Sequence, residues 1–172
     1  MTIRDAAPAD AAAIAAIYRY YVEQTIASFE EAAPDEKEIA ARMAAVRDAG
    51  LPWLVAEEGG AVVAYAYARP FHTRSAYRFT VENAIYVAPD RARKGLGRAL
   101  TKDVIARCTA AGYRQMIAMI SGDADAPSVK MHAALGFRPM GYLPAIGMKF
   151  GQWIDVIEMQ LALGEGDATI PR

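Results

Sequence analysis

Apolar residues recur along the chain with two periods, and the switches between them divide it into elements. Residues 2–4 read as a short strand. Pro8 and Asp10 then open a helix whose buried face is Ile14, Ile17, Tyr18, Tyr21 and Val22, at helical spacing. Residues 25–29 break that period and read as a loop or a short helical turn. Pro34-Asp35 with Glu38 three residues on has the spacing of a capping box. The helix it starts carries Ile39, Met43 and Val46 as its stripe and stops at Gly50. Residues 53–57 and 61–68 are extended and apolar, and Gly59-Gly60 turns one into the other as a hairpin.

Residues 70–76 form a loop, 78–87 a third long strand, and Ala88-Pro89-Asp90 ends it. A helix over 97–111 closes at Gly112, an apolar strand covers 114–120, and a polar loop covers 121–126. Pro127 or Ser128 begins a short helix that ends at Gly136. Residues 137–142 and 153–163 read as two closing strands, and the tail from Gly164 as frayed. The order β-α-α-β-β-β-α-β-α-β-β predicts a mixed sheet with helices on both faces, of α/β or α+β type. Residues 1–163 form a single domain on this reading and 164–172 a tail, since 172 residues suit one core.

Composition narrows the function classes. Hydrophobic residues make up 54% of the chain and charged residues 23%, a globular balance. A net charge of −1 argues against nucleic acid as a partner. No stretch approaches the roughly 20 apolar residues of a membrane span, and the first residues lack a signal peptide's apolar segment, so a soluble cytoplasmic protein is expected. Cys108 is the only cysteine and falls within a helical pattern, which makes it a buried structural thiol. His72 and His132 are too few and too far apart to suggest a metal site.

One segment departs from this even balance. Arg91, Arg93, Lys94 and Arg98 place four cations within eight residues, at a strand-to-helix junction that also carries Gly95 and Gly97. Glycines let a ligand approach the backbone, and a helix N-terminus offers unpaired N–H groups and partial positive charge. A diphosphate or a 3′-phosphate is the natural guest, with a solvated basic turn as the bland alternative. The Walker A spacing is absent, and the third glycine of the dinucleotide fingerprint is replaced by Leu100.

These residues resemble the phosphate loop of the GNAT superfamily of N-acetyltransferases, Gln/Arg-x-x-Gly-x-Gly/Ala between the fourth strand and third helix. Gly95 and Gly97 match it, whereas Ala92 stands where Gln or Arg is expected. Thr80-Val-Glu-Asn-Ala-Ile-Tyr-Val87, Pro127-Ser-Val-Lys-Met-His-Ala-Ala-Leu-Gly-Phe137 and Gly147-Met-Lys-Phe-Gly-Gln-Trp-Ile-Asp-Val156 narrow the likeness to the phosphinothricin and methionine sulfoximine acetyltransferase subgroup. The similarity runs over about residues 2 to 163.

The resemblance implies a GNAT fold: a twisted, mostly antiparallel sheet of about seven strands that splays between the fourth and fifth. It implies acetyl-CoA as co-substrate, with Ile85, Tyr86 and Val87 on the pantetheine and a main-chain N–H near Tyr86 or Val87 as oxyanion donor. Arg93, Lys94, Gly95, Leu96, Gly97 and Arg98 would hold the phosphates. Asp125 and Ser128 also fall at cofactor-contact positions, although Asp125 cannot donate as a carboxylate and Ser128 suits a helix cap equally. Glu82 becomes the general base for the amine, its alternative being a strand salt bridge to Arg78, which shares its face by alternation. His132 stands where many members carry a tyrosine thought to protonate the leaving thiolate, the alternative being a packed helix residue.

For the acceptor, Arg74 and Arg78 are the carboxylate-binding cations, and His72, Thr73, Asn83 and Ala84 border the pocket. Phe29 is either an apolar wall or, like Trp153, plain core or interface packing. Residues 149–155 would help form a homodimer whose partner closes the pocket. The expected reaction is acetylation of a small amino-acid-like amine. A protein N-terminus or another small amine is the second reading, and a non-catalytic acyl-CoA-binding module the third.

Overall fold

A computed structural model of the chain describes residues 1–171. Seven strands form one sheet: β1 Thr2–Asp5, β2 Trp53–Glu58, β3 Ala61–Pro70, β4 Thr80–Val87, β5 Gln115–Ser121, β6 Arg138–Lys149 and β7 Gln152–Ala162. Four helices cover it: α1 Ala11–Gln24, α2 Glu36–Asp48, α3 Leu96–Ala110 and α4 Pro127–Ala133. The strand order is β1-β2-β3-β4-β5-β7-β6, and every neighbouring pair is antiparallel except β4 with β5.

Most boundaries follow from local chemistry. Asp35 accepts the Glu38 N–H at 2.8 Å and starts α2 as its spacing predicts. Gly59 and Gly60, both at positive φ, turn β2 into β3. Pro8–Asp10 is a single 3-10 turn rather than the first turn of α1, and Asp10 accepts the Ala7 N–H at 2.7 Å while Arg4 grips its carboxylate. A second such turn, Ser75–Tyr77, delays β4, so Arg78 precedes the strand.

Two further expectations are corrected. β6 runs to Lys149, far past the expected end at Tyr142. It is an edge strand paired only with β7, its register slips between Leu143 and Gly147, and most of its side chains are exposed. No buried alternation therefore marks it in the sequence. The tail is not frayed as far as Thr169: the Arg114 guanidinium donates to Glu165, the Gly166 carbonyl and Thr169 at 3.1–3.4 Å.

The two faces of the sheet differ. Leu54, Ala64, Ala66 and Val81 pack beneath α3 with Leu100 and Val104 in a close apolar layer. Across the sheet, Tyr65, Tyr67 and Tyr86 meet Trp53 from β2 and Tyr18 and Tyr21 from α1, with ring centroids 4.2–6.4 Å apart. Cys108 is fully buried in α3, and burial pushes its thiol up to about 12, so it packs as an apolar group. Among the described residues no helix is long and apolar enough to cross a membrane.

Candidate active site

β4 and β5 pair only over Thr80–Glu82 against Gln115–Ile117. Beyond Glu82 they part, while β3 stays paired with β4 through Val87 and β7 with β5 through Ser121. The gap opens a cleft of about 1620 Å³ lined by β4, β5, the phosphate loop, α1, α4 and the loop before α2. The Tyr21 hydroxyl donates to the Val87 carbonyl at 2.6 Å and accepts its N–H at 3.3 Å, which orients Val87 toward this open edge. Alternation then turns Ile85 and Asn83 the same way, while Tyr86 and Ala84 face β3, as Ala88 does by donating to Val63. Of the expected backbone donors, Tyr86 is thus turned away and the Val87 N–H is held by the Tyr21 hydroxyl; Asn83 adjoins the last β4–β5 pairing, which leaves Ile85 as the free N–H of the open edge.

The phosphate loop lies at one end of the cleft. Gly95 caps α3 at φ +79° with no side-chain cap, so the first-turn N–H groups keep no partner there. A Cβ on Gly97 would stand 3.6 Å from Ile85 and 3.8 Å from Val87, at van der Waals contact with the wall that the ligand must share. Arg91 pairs with Asp90 and Glu58. Arg93, Lys94 and Arg98 have no carboxylate partner among the described residues, and Arg93 and Arg98 line the cleft. Uncapped N–H groups, unpaired cations and a free strand edge are the donor set that the diphosphate and pantetheine amides of acetyl-CoA need.

Glu82 and Asn83 sit on opposite faces of β4, both at the point of divergence. Glu82 faces the tyrosines, and its Oε1 accepts from Arg69 Nη2 at 2.8 Å. The ion-pair partner is therefore its cross-strand neighbour on β3, not Arg78. Asn83 is 6% exposed and donates from Nδ2 to His132 Nε2 at 3.2 Å. His132 Nδ1 lies 2.8 Å from the Ser128 carbonyl oxygen, an obligate acceptor, so the ring proton is on Nδ1 and Nε2 accepts. Burial pushes the imidazole below its ordinary range, only partly offset by the Ser128 carbonyl. In this arrangement no N–H of His132 points at the cleft, which argues against the proton-donor expectation and for the packed-helix alternative.

Phe29, Glu82, Asn83, Ala84, Ile85, Tyr86, Val87, Ser128 and His132 all line the cleft, as do Gly95, Leu96 and Gly97. Lys94, Asp125, His72, Thr73, Arg74 and Arg78 are not part of its lining. Asp125 pairs with Lys130 at 3.0 Å in solvent. His72 rests on Tyr77, and Arg78 donates to the Ser75 carbonyl with its guanidinium over the Phe79 ring. The expected acceptor cations thus belong to an outer turn.

Sequence reasoning passed over Arg69, Arg42 and Glu30, and took Lys149 only as the start of a dimer segment. The first three line the cleft. Arg42 grips Glu30 with two bonds of 2.7 and 3.0 Å, and Tyr18 also donates to Glu30. Lys149 is 4% exposed and donates to the Ser28 carbonyl at 2.6 Å and the Thr25 carbonyl at 3.1 Å. Burial lowers its pKa, against the pull of Glu31 and Glu30. It ties the cleft's 25–29 wall to β6.

The chain belongs to the Acetyltransferase (GNAT) family, whose pattern it matches over residues 14–137. It is an acetyl-CoA-dependent N-acetyltransferase. It is 48% identical to phosphinothricin N-acetyltransferase of Alcaligenes faecalis over 170 residues, covering 99% of this chain and 86% of that protein. It is 39% identical to the L-methionine sulfoximine/L-methionine sulfone acetyltransferase of Salmonella typhimurium over 165 residues, covering 96% of each. The crystal structure of a phosphinothricin acetyltransferase from Sinorhizobium meliloti in complex with acetyl-CoA superposes with a TM-score of 0.96 at 48% identity, covering 99% of this chain and 92% of that one.

Proposed function

We propose that this enzyme acetylates the α-amino group of a small amino acid of the phosphinothricin or methionine sulfoximine kind, with Glu82 as general base. The observation that carries the reading is Glu82 itself: a carboxylate at the point where β4 leaves β5, facing the cleft from the strand whose free edge suits the pantetheine. Relatives with those acceptors in their names align over nearly the whole chain. Acetyl-CoA supplies the activated acetyl thioester. Glu82 takes a proton from the incoming ammonium, directly or through one water, and the freed amine attacks. The N–H group of Ile85 faces the site from the open edge and stabilises oxyanion charge. His132 orients Asn83, and solvent returns the proton to the thiolate.

A homodimer completes this picture. Tyr142, Ile146, Met148, Phe150 and Trp153 are each more than half exposed on the β6–β7 hairpin, and β6 is an unpaired edge. A contiguous apolar edge of this kind suits a second copy of the chain. A cytoplasmic setting follows from the co-substrate, since a polyanion as large as acetyl-CoA does not cross a bilayer unaided.

Thiol release from acetyl-CoA over a panel of amino acids, sulfoximines and plain amines tests the acceptor class. Glu82→Gln should lower kcat at pH 7 by roughly 10²- to 10⁴-fold with acetyl-CoA binding intact. Full activity in that variant would remove Glu82 from the base role. Turnover of amines other than amino acids, and of no amino acid, would sink the acceptor assignment.

A further inference from the structure

We infer that Arg69 is the residue that selects the acceptor, by holding its α-carboxylate beside Glu82. The inference rests on the acceptor class proposed above. Two cations stand near Glu82 in the cleft, Arg42 and Arg69. Arg42 is committed: Nη1 and Nη2 go to Glu30, and Nε goes to Glu38 at 3.1 Å. Arg69 gives only Nη2 to Glu82, at 2.8 Å. A guanidinium has five N–H donors in a planar fork, so the rest of the Arg69 fork is unspent. Its side chain is 55% exposed, at the cleft end of β3. Burial disfavours its charge, but the facing Glu82 more than compensates, so it stays a cation.

The charges form a template for a zwitterion. Glu82 faces Arg69 across the β3–β4 register, and the Arg69 charge also reaches Glu30. An α-amino acid that brings its ammonium to Glu82 places its carboxylate a few ångströms away, within reach of the free edge of Arg69, where a bidentate contact forms. A plain amine or an amide would leave that cation without its partner. The turn carrying Arg74 and Arg78 lies outside the lining.

The test compares L-methionine sulfoximine with its α-carboxamide, reading kcat/KM for each in wild type, Arg69→Met and Arg69→Lys. Any effect on Glu82 acts on both acceptors and cancels in the acid-to-amide ratio. Loss of a charge-assisted contact predicts that Arg69→Met lowers this ratio by roughly 10- to 100-fold, with KM for acetyl-CoA unchanged. Arg69→Lys should restore part of it. An unchanged ratio, including an equal fall for both acceptors, overturns the inference and leaves the acceptor class standing. Wild type that acetylates other amines but neither compound overturns the acceptor class, and this inference falls with it.

Discussion

Gly147 lies on β6 under the ring of Phe29, and replacing it with Ala isolates one contact of the cleft wall. A Cβ there would fall 2.2 Å from Phe29 Cε2, 2.5 Å from Cζ and 2.9 Å from Cδ2. Ordinary contact needs more than a further ångström, so the ring must leave its seat. Gly147 has no positive φ, so Ala meets no backbone strain. Without the ring the change would stabilise the protein by about 0.4–1 kcal/mol through the unfolded chain. Phe29 is 43% exposed, so it can swing outward. Losing its remaining buried surface, on the order of 100 Å², costs about 2.5 kcal/mol as an upper bound. The net expectation is a loss of about 1–2 kcal/mol, a fall in Tm of roughly 2–8 °C for a chain of this size. KM for the acceptor should rise while KM for acetyl-CoA holds, because Phe29 lines the cleft away from the phosphate loop. Thermal unfolding of Gly147→Ala, Phe29→Ala and the double variant closes the cycle. In the Phe29→Ala background the second change should be neutral or stabilising. An equal loss in both backgrounds would refute the contact as the cause.

Two further outcomes follow from the same geometry. Wild type should sediment as a dimer at micromolar concentration, and Trp153→Glu, which places charge in the exposed β6–β7 patch, as a monomer; a monomeric wild type would refute the dimer, and a dimeric variant would place the interface elsewhere. His132 is held neutral by burial, with its pKa below the ordinary 6.5, so the unfolded chain binds more protons there. Stability contributed by the neutral ring is therefore full above about pH 6.5 and is lost as pH falls toward the folded value. The stability difference between wild type and His132→Gln, measured by denaturant midpoints, should narrow on going from pH 7.5 to 5.5; a widening would mean the buried ring is the cation.

How much of this was legible beforehand differs by element. The α2 start at Asp35, the Gly59-Gly60 hairpin and the glycine-cation loop before α3 were readable because each is a local matter of caps, positive φ and charge density. Glu82 stood out as a lone carboxylate in an apolar strand. Its partner did not, because register between β3 and β4 decides that Arg69, and not the sequence-adjacent Arg78, faces it. The proton placement on His132 needed the Ser128 carbonyl on one side and Asn83 on the other, contacts drawn from a helix and a strand 49 positions apart. Lys149 read only as the start of a dimer segment until the fold carried the Thr25 and Ser28 carbonyls to it across more than 120 residues. The end of β6 was invisible because an exposed edge strand lacks the alternation that burial imposes. The sequence by itself thus determined the order of elements, the family and the anion-binding loop, since each rests on neighbours along the chain. Only the tertiary structure decided which cation faces Glu82, where the histidine carries its proton and what holds the 25–29 wall of the cleft, since each rests on pairings between distant segments that no local pattern encodes.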